Sequence, residues 1–213
     1  MTVLYGISLV RSSNDLGGPF AMKAALIVFN QMTYLDFVGF YDPLTRLKSM
    51  NVVENFDWQI CSNKGQVADD RGPTGLTMIP DSVMEPLDGY DLLFVPGGQG
   101  TRLLQGDREF LEWLKSASSA KLKVSVCTGA LLLGAAGFLR GKRATTHPNA
   151  LKELEPYCDA VLTDRIVDEG DVITGGGVAS SIDLGLHVVQ LIAGLEARSR
   201  IAKQMCYPYQ WSA

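Results

Sequence analysis

Lys123-Val124-Ser125-Val126-Cys127-Thr128-Gly129-Ala130 is the stretch that decides the fold, and Leu131-Leu132-Leu133-Gly134 follows it directly. A short β-branched run ends at Cys127, and a run of small and helix-forming residues begins at once. The pattern predicts a strand that passes into a helix through one tight turn, with Cys127 on the turn. This is the arrangement of a nucleophile elbow.

The start of a helix favours negative charge on a side chain placed there. Its first backbone N–H groups have no partner within the helix and carry partial positive charge, which lowers the pKa of a thiol. Cys127 is therefore a candidate nucleophile. A buried cysteine that merely ends a core strand fits the same pattern, since free cysteine is among the most buried residue types.

The surrounding chain alternates strands with helices. Lys23 to Phe29 and Asp91 to Val95 are continuous apolar runs, typical of strands covered on both faces in a parallel sheet. Arg165 to Thr174 predicts a β-hairpin that turns at Asp168-Glu169-Gly170, and Gly194 separates two final helices. The pattern predicts an α/β fold around a mainly parallel sheet of about six strands.

The helix after the first strand carries an acid, Asp36, in its first turn. Leu35, Val38 and Phe40 are predicted to face the core, and Asp42-Pro43 to interrupt the helix. A protonated Asp36 beside a thiolate would donate a hydrogen bond to it. The spacing Thr33-x-x-Asp36 also fits a capping box, in which the acid only stabilises the helix start.

Two glycines, Gly97 and Gly98, follow the strand that ends at Val95. In parallel sheets, sites form beyond the carboxyl ends of the strands, where Asp36 and Cys127 are also placed. The glycines are candidate backbone donors to a developing negative charge, together with the N–H of Thr128. An ordinary tight turn explains them equally well.

The two histidines are weaker candidates. His187 falls within an apolar helix and is predicted to be a packed core residue. His147 lies about twenty residues beyond Cys127 and is expected at the periphery of the elbow.

Composition narrows the possible functions. The chain has 213 residues, is 46% hydrophobic and carries a formal charge of −4, which fits one domain and gives no basic face for nucleic acid or an anionic membrane. No apolar run approaches the roughly 20 residues that a membrane span needs. A cytoplasmic protein is therefore expected. Four cysteines without a C-x-x-C pair, and two histidines without zinc spacing, predict a reducing compartment and no structural metal. Residues 1–21 are interpreted as an N-terminal extension, since Met22 is a second possible start, and 22–213 as the domain.

Four motifs together resemble the ThiJ/PfpI superfamily, in family order over about residues 22 to 205. They are Val95-Pro96-Gly97-Gly98-Gln99-Gly100, Val126-Cys127-Thr128-Gly129-Ala130, Ala144-Thr145-Thr146-His147-Pro148 and Ile173-Thr174-Gly175-Gly176-Gly177-Val178-Ala179-Ser180-Ser181-Ile182-Asp183. The resemblance implies a flavodoxin-like three-layer sandwich, related to class I glutamine amidotransferases and usually a homodimer.

Within that superfamily the chain is most similar to isocyanide hydratases. The marks are Tyr34-Leu35-Asp36-Phe37-Val38-Gly39 and Cys127-Thr128-Gly129, where Thr replaces the histidine of the protease-like branch. The resemblance implies a small-molecule substrate: cysteine-dependent hydration of isocyanides to N-formamides through a thioimidate, with no redox cofactor or metal required. It also implies the site residues: the nucleophile Cys127, the proton donor and acceptor Asp36, the polar neighbour Thr128, the backbone donors Gly97 and Gly98, and the pocket residues Gly176 and Val178. Relatives with glyoxalase-like or deglycase-like activity, or with a non-catalytic redox-sensing or stress-response cysteine, leave two alternatives open.

Overall fold

The protein is described by a computed structural model over residues 21–69 and 75–208. The predicted N-terminal extension, apart from Ala21, lies outside the described residues. Across the described ranges, no helix combines the length and the apolar character that crossing a membrane would take.

The described chain alternates strands and helices as predicted. The strands are β1 (Met22–Val28), β2 (Phe56–Ser62), β3 (Val67–Ala68), β4 (Thr77–Met78), β5 (Ser82–Val83), β6 (Leu92–Val95), β7 (Leu122–Val126), β8 (Arg143–Ala144), β9 (Ala160–Val161), β10 (Ile166–Asp168) and β11 (Val172–Gly175). The helices are α1 (Tyr34–Ser49), α2 (Thr101–Leu104), α3 (Arg108–Lys115), α4 (Gly129–Ala135), α5 (Leu151–Leu154) and α6 (Ser180–Gln204).

Seven strands form the main sheet, in the order β10-β11-β7-β6-β1-β2-β5. All neighbours pair in parallel except β10 and β11, which form the predicted antiparallel hairpin. The central strands β6 and β7 are buried along their whole length. The predicted three-layer α/β fold is confirmed. About six strands were expected, and the main sheet has a seventh, the short edge strand β5.

Register brings the ends of three strands to one edge of the sheet. Val95 of β6 pairs with Ser125 of β7, and Val126 of β7 pairs with Gly175 of β11. Because these strands are parallel, the residues that follow each of them emerge side by side. Gly97, Cys127 and the residues after Gly175 therefore meet at the carboxyl edge of the sheet.

The prediction of which α1 residues face the core was partly wrong. Leu35 and Val38 are 52% and 48% exposed, and Phe37 and Phe40 are buried instead. The buried apolar series continues from Phe40 to Leu44 and Leu47 with helical spacing. Phe40 was predicted correctly, but the buried apolar series begins at Phe37, the residue after the buried Asp36.

Pro43 does not interrupt α1 as predicted. The helix continues unbroken from Tyr34 to Ser49, although a proline removes one backbone hydrogen bond and crowds the preceding turn. The helix packs against α6, where a methyl group placed on Gly185 would lie 2.5 Å from Cγ of Pro43. Helices in folded proteins are stabilised mainly by tertiary packing of this kind, and less by local propensity.

The break at Gly194 is confirmed, but the placement of His187 was wrong. Gly194 has φ +85° and ψ 173° within α6, so the helix axis changes there. His187 is only half-buried, and its Nε2 lies 2.7 Å from Oδ2 of Asp168 in β10. The histidine bonds to the rim of the hairpin rather than packing in the core.

Candidate active site

Cys127 lies between β7 and α4 and has a left-handed backbone, with φ +55°. Its N–H donates to the carbonyls of Gly175 and Gly176, at 3.0 and 2.8 Å. Its carbonyl accepts from Oγ1 of Thr146 at 2.8 Å. Such a conformation is costly for a residue with a side chain and persists where surrounding contacts determine it. The predicted elbow is therefore present, held by hydrogen bonds from two neighbouring segments.

Asp36 reaches this elbow from the first turn of α1. Its side chain is 0% exposed, and Oδ2 accepts the N–H of Gly97 at 2.9 Å. The carboxyl also lies within hydrogen-bonding reach of the Cys127 thiol. Thr33 provides no side-chain cap for the helix. The acid therefore belongs to the site, and the capping-box alternative is not supported.

Gly97 lies between the acid and the thiol. A methyl group added to it would lie 2.8 Å from Oδ2 of Asp36, 2.8 Å from Cβ of Cys127 and 2.6 Å from the backbone nitrogen of Thr128. Real side chains almost never approach so closely, so the position needs glycine. The absence of a side chain there lets the carboxyl and the thiol meet.

The predicted role of Gly98 as a free backbone donor is not what the structure shows. Its N–H donates to Oγ1 of Thr128 at 2.9 Å, and the same hydroxyl donates to the Gly98 carbonyl at 3.1 Å. The N–H of Gly97 is likewise engaged by Asp36. In the resting protein both glycine N–H groups fix polar side chains of the site instead of pointing at an open oxyanion position.

The pKa of the thiol also differs from the expectation. Burial, followed by the neighbouring Asp36 carboxylate, raises the pKa of Cys127 to about 12. Hydrogen bonds from Thr128 lower it, in the direction that a helix start predicts, but they are smaller contributions. The sulfur therefore holds its proton at neutral pH.

Of the two predicted pocket residues, Gly176 lines a cleft beside the elbow and Val178 does not. A cleft of about 260 Å³ lies beside the elbow and is lined by Gly176 and Gly177, by residues 145, 146, 148 and 151, and by 163–165, but not by Val178. Thr146 links this cleft to the Cys127 carbonyl, a role that the sequence reasoning missed although Thr146 lies within one of the quoted motifs. The ring of His147 caps the next turn, accepting the N–H of Asn149 at 3.2 Å, so it stays peripheral as expected.

The side chains around the elbow define the chemistry that the site can carry out. In the described part of the chain, no three His, Cys, Asp or Glu side chains come together closely enough to hold a metal ion. The groups that the site does bring together are one thiol, one carboxyl and one hydroxyl. They can add a sulfur nucleophile to an electrophilic carbon and move a proton beside it.

Comparison with known proteins gives a consistent picture. A model of the DJ-1/PfpI family matches residues 22–191. An isonitrile hydratase of Pseudomonas putida is 35% identical over 189 residues, 88% of this chain and 79% of that protein. The transcriptional regulator CdhR of Pseudomonas aeruginosa is 28% identical over 80% of this chain, which spans about half the length of the regulator.

Solved structures show the same fold. A ThiJ/PfpI family protein from Pseudomonas syringae superposes with a TM-score of 0.79 at 27% identity, covering 98% of this chain and 84% of that one. DJ-1beta of Drosophila melanogaster gives a TM-score of 0.76 at 21% identity, covering 89% and 100%, a likeness of fold alone.

Proposed function

The chain belongs to the DJ-1/PfpI family, and on that premise we propose that it hydrates isocyanides, also called isonitriles, to N-formamides through a covalent intermediate on Cys127. One observation carries the proposal: the Asp36 carboxyl is fully buried and acts on the Cys127 thiol through its charge and a side-chain hydrogen bond. A similar isonitrile hydratase supports the choice of substrate. The pair holds one transferable proton beside the nucleophile.

In the first step, the sulfur and the proton of the thiol both add to the terminal carbon of R–N≡C. Because the raised pKa of Cys127 keeps its proton on sulfur, Asp36 acts first as a base and accepts that proton. The sulfur forms a bond to the carbon, and Asp36 delivers the proton to the same carbon. The product is a thioimidate, Cys–S–CH=N–R, with Asp36 ionised again.

The second step adds water to the thioimidate. Asp36 takes a proton from water, the hydroxide adds to the carbon, and the proton passes to the nitrogen. The tetrahedral intermediate, Cys–S–CH(OH)–NH–R, then collapses as its hydroxyl proton moves through Asp36 to the leaving sulfur. R–NH–CHO is released, and the thiol and the carboxylate return to their starting state.

Gly97 and Thr128 support this chemistry without reacting. The N–H of Gly97 donates to Oδ2 of Asp36 and fixes one carboxyl oxygen, so the acid keeps its orientation while it exchanges protons. Thr128 bonds to both backbone groups of Gly98 and so fixes the turn that carries Gly97. Pre-organised groups of this kind avoid rearrangement during the reaction.

The proposed mechanism supplies a base, Asp36, that removes the proton from the protonated thiol before it reacts. A sensor cysteine is oxidised most readily as an exposed thiolate, whereas Cys127 is 5% exposed and its pKa is raised. A glyoxalase-type reaction usually gains from a histidine base, and the ring of His147 is engaged by Asn149. A sensor in which Asp36 stabilises an oxidised Cys127 uses the same pair, and turnover of an isocyanide separates the two roles.

The test is conversion of para-nitrophenyl isocyanide to its formamide. Cys127→Ala should abolish turnover, and Asp36→Asn should slow it by about 10²–10⁴-fold, the usual range for a general acid–base. Cys158→Ala is the matched control, since Cys158 is a half-buried free cysteine outside the site. A wild-type protein inert toward several isocyanides, or an active Cys127→Ala variant, would overturn the proposal. Turnover of methylglyoxal alone would favour the glyoxalase alternative.

We also propose that residues 22–213 form one domain that pairs as a homodimer in the cytoplasm. The exposed Leu35 and Val38 on α1 support a second copy covering that face, and all four cysteines are free, as a reducing compartment allows. Light scattering should give twice the mass of one chain. Val38→Asp should shift that mass toward the monomer.

A further inference from the structure

Asp183 is a buried carboxylate that the proposed mechanism does not use. It lies in the first turn of α6 and is 2% exposed. Its Oδ2 accepts from the guanidinium of Arg165, and its Oδ1 accepts from the hydroxyl of Tyr207. Arg165 comes directly before β10, and Tyr207 follows α6. We call these three residues the Asp183 cluster, in which three separate parts of the chain converge on one carboxylate.

The cluster is held by charge as well as by geometry. Burial and the Asp183 carboxylate raise the pKa of Tyr207 to about 12, so its hydroxyl keeps its proton and remains a donor. Arg198 also faces Asp183 and is attracted to it. A buried carboxylate whose two oxygens accept hydrogen bonds from a cation and a hydroxyl has its desolvation compensated. Removing one partner leaves part of that desolvation cost uncompensated.

Arg165 connects this cluster to the segment between β11 and α6. Its Nη2 donates to the Ala179 carbonyl at 3.1 Å, and its own carbonyl accepts the N–H of Gly176 at 3.0 Å. Arg165 thus bonds to both ends of residues 176–179. The carbonyl of Gly176 in turn accepts the N–H of Cys127 at 2.8 Å. A continuous set of hydrogen bonds therefore runs from Tyr207 through Asp183 and Arg165 to the elbow.

The start of α6 also contacts the segment that carries Asp36. Oγ of Ser181 donates to the Leu35 carbonyl at 3.2 Å, one residue before the acid. Residues near the Asp183 cluster therefore bond to the backbone at Cys127 and to the backbone beside Asp36. Because Cys127 has a left-handed backbone, its position depends on bonds from outside the elbow.

We propose that Asp183, held by Tyr207 and acting through Arg165, is a positioning residue that holds Cys127 in register with Asp36. The expected effect on kcat rests on the proposed isocyanide hydration. None of the three residues touches the reacting atoms in the mechanism given above. Their effect is on the geometry of the thiol and the carboxyl, where small displacements have large effects on rate.

The test compares Tyr207→Phe and Asp183→Asn with Tyr157→Phe. Tyr157 is the matched control because it is also half-buried and its hydroxyl bonds to Gln105 instead. Two quantities are measured: kcat and KM for para-nitrophenyl isocyanide, and the rate at which iodoacetamide alkylates Cys127, followed by peptide mass spectrometry at pH 8. Alkylation of Cys158 in the same samples is the internal reference.

Both cluster variants should lower kcat by about tenfold with KM nearly unchanged, since substrate binding is not the interaction removed. Both should alkylate Cys127 faster relative to Cys158, because burial is the main cause of the raised pKa of the Cys127 thiol and a loosened elbow is less buried. Tyr157→Phe should change neither quantity.

The inference is overturned if Tyr207→Phe lowers the melting temperature but leaves the alkylation of Cys127 and kcat at their wild-type values. If Asp183→Asn fails to fold, Tyr207→Phe alone decides. If the wild-type protein turns over no isocyanide, the proposed function fails, whereas the alkylation rates still support or contradict the positioning role.

Discussion

Gly97 is the residue at which the acid, the thiol and the helix start come closest. Gly97→Ala would place a methyl group 2.6–2.8 Å from Thr128, Asp36 and Cys127. These atoms belong to the backbone or to fully buried groups, so they have little room to move away. We expect isocyanide turnover to fall by about 100-fold, as for other displacements of about 1 Å, with a loss of about 1–3 kcal/mol in the free energy of unfolding.

The matched control for this change is Gly89→Ala. An added methyl group at Gly89 would meet nothing within 4 Å, and its backbone does not need glycine. Steady-state kinetics and urea denaturation of both variants would separate the local clash from the general effect of replacing glycine. Wild-type turnover by Gly97→Ala would show that the acid and the thiol do not need this close approach.

Among single residues, the elbow was the easiest feature to predict from the sequence, and the bonding of its neighbours was the hardest. Cys127 stands where a β-branched run meets a helical run, and both patterns are local. The partner of the Gly98 N–H is a hydroxyl thirty residues away, which no local pattern specifies. The pKa of Cys127 depends on how deeply the sulfur is buried, and this became visible only with the packed structure.

Among the helices, the existence of each element was more predictable than its orientation. The start of α1 was correct, but Leu35 and Val38 were predicted to face the core, whereas the buried apolar residues lie two positions later, at Phe37 and Phe40. Pro43 was given its usual effect on an isolated helix, whereas packing against Gly185 of α6 keeps the helix continuous. Both errors arise where tertiary contacts decide between local alternatives.

The break in α6 leads to a prediction about stability. Gly194 has φ +85° and ψ 173°, a region that is essentially restricted to glycine. An added methyl group would meet no atom within 4 Å, so the cost of Gly194→Ala is backbone strain alone. We expect a loss of about 1–3 kcal/mol in the free energy of unfolding.

Gly65→Ala is the control for the break, because that glycine also has open space around it but no positive φ. Urea denaturation should find Gly65→Ala close to the wild-type protein. Equal stability of the two variants would mean that α6 can straighten at Gly194 without cost. The left-handed backbone at Gly194 would then not be needed for the packing of α6 against α1.

For the whole molecule, the buried thiol predicts how stability depends on alkaline pH. In the native protein the pKa of Cys127 is raised from its ordinary value of 9.0 to about 12. Between these values the native state holds a proton that the unfolded chain has released. The free energy of unfolding should therefore fall as pH rises from about 9 to about 12, by up to about 1.4 kcal/mol per pH unit from this one group.

Cys127→Ala should remove this part of the slope, since the variant has no thiol to ionise there. The loss of the sulfur leaves a cavity, which lowers the free energy of unfolding of this variant at every pH. The quantity to compare is therefore the slope of that free energy against pH, and not its absolute value. Cys61, Cys158 and Tyr207 also have raised pKa values, but they are present in both proteins and cancel in the difference. Asp36→Asn should reduce the slope in part, because the Asp36 carboxylate is the second cause of the shift after burial. Urea denaturation at intervals between pH 8 and 11 measures all three slopes. Parallel slopes for the wild-type and Cys127→Ala proteins would show that the native thiol ionises as easily as the unfolded one, and would contradict the burial that raises its pKa.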